Sequence, residues 1–109
     1  MVIKVFYGVN MNNTIYGSLP MIAVKNNYRN LINQIFKLLP LKEENDPDIE
    51  AHFSSTLIRI RGMSCLFPHE PKWITVLALL ESAKHEHDFK IYREAILKSC
   101  SIIGMMIET

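Results

Sequence analysis

The stretch IEAHFSSTLIRIRG, Ile49 to Gly62, decides the fold. At helical spacing, Ile49, Phe53, Leu57 and Ile60 recur at i, i+4, i+8 and i+11 and make one apolar face. At the period of a strand, TLIRIR sets Ile58 and Ile60 against Arg59 and Arg61. The first reading gives a helix up to Gly62, and it is the favoured one. The alternative is an extra strand at about 56–61.

Upstream lies LKEENDPDIE. Residues 43–50 hold five carboxylates, Glu43, Glu44, Asp46, Asp48 and Glu50, while residues 1–42 hold none. Asp46 before Pro47 predicts a helix start. An aspartate oxygen can accept free N–H groups there, and proline suits the first turn. Asp48 and Glu50 then complement the positive end of the helix dipole. Asp46 alone would supply the cap, and capping has no need of Glu43 and Glu44. Excess charge of one sign on a surface loop steers a protein toward a basic partner and pairs with its cations.

Further upstream, Tyr28, Leu31, Ile32, Ile35, Phe36 and Leu39 fall three and four apart, which predicts a helix from about Met21 that Pro40 ends. The N-terminus reads as a hairpin. VIKVFYGV alternates Ile3, Val5, Tyr7 and Val9 onto one face, NMNN has turn character, and TIYG is a short returning strand. Downstream, GMSCLFPHEP reads as a loop punctuated by Gly62, Pro68 and Pro71. Pro71 opens a helix that carries Trp73, Val76, Leu77 and Leu80 inward. Asp88 caps a last helix with the stripe Phe89, Tyr92, Ile96, Cys100 and Ile103. With HEHD between them, these two helices form an antiparallel pair, and Gly104 weakens the second near its end. The fold class expected is therefore α+β, mostly helical: an N-terminal β-hairpin followed by three or four helices.

At 109 residues and 49% apolar composition, the chain is one domain, 1–109, with enough core to stand without disulfides or metal. Two cysteines, Cys65 and Cys100, lack the spacing of a zinc site or a secreted scaffold. The N-terminus lacks the apolar centre of a secretory signal, and the longest apolar run, ITVLALL, is far short of a bilayer span. A reduced, cytoplasmic protein is expected. Net charge is +1, which gives no broad attraction to nucleic acid or membrane.

His85 and His87 could share a metal on extended backbone but diverge on a helix, and a helix C-terminus favours imidazoles in any case. His52 and His69 are isolated. Cys65 with His69 lacks a readable activating group, so a small thiol or metal enzyme is only an alternative. RIRG and the bases Lys90, Arg93 and Lys98 raise a nucleic-acid-binding regulator as another. Glu81, Glu86, Asp88 and Glu94 among those bases mark a solvated face instead. No cofactor, no metal and no catalytic residue is expected. The reading is a protein-binding inhibitor, most concretely an immunity protein that neutralises a basic nuclease-type toxin. Glu43, Glu44, Asp46, Asp48 and Glu50 would occlude the cationic cleft, with Tyr16 at the rim. The sequence specifies neither the partner's identity nor the oligomeric state.

Overall fold

A computed structural model describes residues 11–14 and 17–108 of the chain. Its body is five helices: α1 (Met21–Phe36), α2 (Leu38–Glu43), α3 (Ile49–Leu66), α4 (Lys72–Lys84) and α5 (Phe89–Glu108). This overturns the α+β expectation.

The expected hairpin is not present as read. Its first strand, with Ile3, Val5, Tyr7 and Val9, lies outside the described residues, as does Tyr16. Residues 11–13, expected to turn, belong instead to the extended segment Met11–Thr14. That segment runs antiparallel to Gly17–Pro20, with Met11 opposite Pro20 and Thr14 opposite Gly17. Four residues a side make no sheet layer. The fold closes by helix on helix.

Residues 56–61 are helical, so the alternative strand is also overturned. The face Phe53, Thr56, Leu57, Ile60 and Met63 is buried. Ile58, inward in the strand reading, is 66% exposed. Thr56, a β-former, is accommodated because its hydroxyl donates to the carbonyl of His52 at 2.8 Å. The helix also runs past Gly62 to Leu66, correcting the expected loop start. Gly62 is exposed in the helix interior, where glycine costs only about 1 kcal/mol against alanine. Pro68 is the true stop. Phe67 before it is already out of helical geometry, at φ −118° and ψ 71°.

Pro40 acts differently from expectation. Its ring excludes the carbonyl four residues back, so the first ladder ends at Phe36. Proline itself is tolerated in the first turn of α2, and Lys37 is the hinge residue between the helices. Leu38 is thereby turned fully into the core.

α5 is the central element. It packs on α4, α1 and α2, while α3 packs on α4 and less closely on α1. Leu31 and Ile35 from α1, Ile60 from α3, Trp73, Val76 and Leu80 from α4, and Ile96 and Ile103 from α5 are fully buried. Tyr28 meets Trp73 edge-on at 5.1 Å and Phe67 at 6.1 Å, fastening α1 to the start of α4. Among the described residues, no helix is long and apolar enough to cross a membrane.

Candidate functional site

The acidic segment forms the turn between α2 and α3. At its near end, α2 closes with the N–H of Asn45 on the carbonyl of Lys42 (3.2 Å) and that of Asp46 on Leu41 (2.9 Å). This double closure needs a left-handed residue, and Asn45 supplies it at φ 52°. At the far end, the N–H of Ile49 reaches the carbonyl of Asp46 at 3.2 Å across a turn with Pro47 second. Asp46 Oδ1 accepts the N–H of Asp48 at 2.8 Å. Asp46 therefore shapes the turn and does not cap α3, which begins two residues later than expected, after Asp48. Glu50 lies in its first turn.

Four of the five carboxylates are exposed: Glu43, Glu44, Asp48 and Glu50. Asp46 is partly buried. Among the described residues, the chain's own bases do little to neutralise them. Lys84 Nζ lies 3.8 Å from Glu50 Oε2, a loose pair on a side chain that is 76% exposed. Lys42, adjacent in sequence, lies over the Tyr92 ring at 5.5 Å from its centre. Glu43, Glu44 and Asp48 form no ion pair among the described residues.

The turn is held from behind. Tyr92 Oη donates to the carbonyl of Leu38 at 2.6 Å in the buried interior, tying α2 to α5. Burial pushes the Tyr92 hydroxyl up to about 12. Phe53, on α3, meets the same ring edge-on at 6.1 Å. Both helices that flank the acidic turn thus rest on one residue.

The other candidates are dispersed. His85 and His87 are exposed in the loop before α5, and no metal-binding group of histidine, cysteine or acid forms among the described residues. Asp88 caps α5, accepting the N–H groups of Lys90 and Ile91 at 2.9 and 3.3 Å. Cys65 is exposed on α3 and His69 lies in the next loop, with no hydrogen bond between them. Cys100 is buried, and burial raises its thiol to about 12.

The two arginines of RIRG part company. Arg61 pairs with Glu81 at 2.6 Å, across α3 and α4. Arg59 turns into the seam between α1 and α3, where Asn27 and Gln34 receive it. Sequence reading missed this seam. The signal was there in Asn27 and Gln34, two turns apart at the edge of the α1 stripe. Beside it, a shallow notch is lined by Ala23, Val24, Asn27, Met63, Leu66 and Phe67. No family model matches the chain, and no curated protein or solved structure matches it.

Proposed function

We propose that this protein acts by capturing a basic protein partner on the acidic turn, most concretely as an immunity-type inhibitor of a nuclease toxin. A nuclease cleft is cationic because it must hold phosphate. Closely spaced carboxylates on a rigid turn can occupy it as a phosphate mimic. One observation supports the reading above others: Glu43, Glu44 and Asp48 are exposed and lack ion-pair partners among the described residues. Asp46 and Asn45 fix the turn's shape, so those carboxylates are presented without much ordering on binding.

The test is charge reversal, Glu43→Lys with Glu44→Lys and Asp48→Lys, in affinity capture from the native cell. The wild type should retain a basic protein, and the variant should bind it more weakly by about 2–5 kcal/mol. Thermal stability should change little, since Asp46 and the buried face are untouched. Equal affinity in both forms would remove the acidic turn from the mechanism.

A further inference from the structure

Arg59 is drawn into the α1–α3 seam with no carboxylate to meet it among the described residues. Its Nη1 donates to Gln34 Oε1 at 2.5 Å and its Nη2 to Asn27 Oδ1 at 2.9 Å. Gln34 Nε2 donates onward to Ser55 Oγ at 3.4 Å, and Asn27 Nδ2 to Met63 Sδ at 3.4 Å. A guanidinium has five N–H donors. Two are taken, and the remaining three meet no acceptor among the described residues.

These amide oxygens orient the guanidinium but leave its charge uncancelled. α1 contains no acid. The acid of α3, Glu50, is nine residues from Arg59, about 13 Å along the helix, and turns toward Lys84. Arg61 makes the contrast, with Glu81 against it at 2.6 Å. A cation taken partly out of water is ordinarily matched by an opposite charge. Neither helix of the seam provides one.

We propose that the α1–α3 seam is an oxyanion-binding site in which Arg59 takes a carboxylate or phosphate group, while Asn27 and Gln34 hold the guanidinium in place. The planar fork suits both oxyanions, since each offers two oxygens to parallel N–H donors. Asn27 and Gln34 both accept from it, so the fork is set before the ligand arrives. The anion comes either free in solution or on an acidic side chain of a protein, and the chemistry at Arg59 is the same. This site is separate from the acidic turn, and its failure leaves that reading standing.

The experiment is an NMR titration of the ¹⁵N-labelled protein with sodium phosphate and, separately, with a tetraglutamate peptide. Sodium chloride at matched ionic strength is the control. The Arg59 Nε–H signal and the side-chain amides of Asn27 and Gln34 should shift saturably with at least one of the two probes and not with chloride. Saturation by phosphate marks a free anion as the source, and saturation by the peptide alone marks a protein carboxylate. In Arg59→Lys, which keeps the charge but loses the fork, affinity should fall tenfold or more. Shifts that chloride reproduces, no saturable shift with either probe, or full affinity in Arg59→Lys would overturn the site. Should that variant fail to fold, the wild-type titration decides alone.

Discussion

Tyr92 reaches back 54 residues to the carbonyl of Leu38, and this one hydroxyl connects the last helix to the short helix that leads into the acidic turn. Tyr92→Phe keeps the ring, its contact with Phe53 and the platform under Lys42, and removes only the donor. The carbonyl is buried, so we expect a loss of about 1–2 kcal/mol in denaturant unfolding. A change within error would show that Leu38 finds another donor at no cost. Asn45 works at the same scale, its left-handed backbone closing α2 so that Asp46 can shape the turn. The role of Asn45 was not legible in the sequence. It depends on which carbonyls of α2 are left open, and those follow from where the helix ends.

At the scale of elements, the helical stripes were the legible part. Tyr28, Leu31 and Ile35, Phe53, Leu57 and Ile60, Trp73, Val76 and Leu80, and Tyr92, Ile96 and Ile103 all face inward as their spacing requires. The breaks were harder to read. Gly62 reads as punctuation, yet the apolar spacing continues through Met63 to Phe67 and outweighs one glycine. Apart from its chain neighbours and the backbone of its own helix, nothing lies within 4 Å of where a β-carbon would sit on Gly62. Gly62→Ala should therefore stabilise the protein by about 0.5–1 kcal/mol, measured as a rise in melting temperature. A destabilised Gly62→Ala would mean that the helix does not persist there. At the N-terminus, residues 11–13, expected to turn, lie in an extended segment paired with Gly17–Pro20, while the expected first strand lies outside the described residues. The acidic turn was visible as charge, whereas the Arg59 seam was not, because its partners come from a helix 25 and 32 residues away.

Over the whole molecule, pH joins these local facts. Cys100 and Tyr92 hold their protons more tightly when folded, each at about 12 against ordinary values of 9.0 and 10.0, because burial disfavours the ionised forms. Groups raised in this way leave stability whole below the unfolded values and erode it as pH rises toward the folded ones. Unfolding free energy should thus begin to fall near pH 9 and keep falling to about pH 12. Cys100→Ala should flatten the first part of that slope, between pH 9 and 10, whatever it does to stability at neutrality. A profile with the same steepness there would assign the loss to other groups. The final helix has one more implication, for synthesis. α1, α2 and α4 all pack on α5, and α1 and α3 alone meet in a sparse, polar-edged seam. A nascent chain still lacking Phe89–Glu108 can close α3 on α4, but the faces of α1, α2 and α4 that meet the last helix have no partner yet. The complete fold must then form after these residues clear the ribosome, and until that moment part of the apolar surface of the growing chain stays open to water.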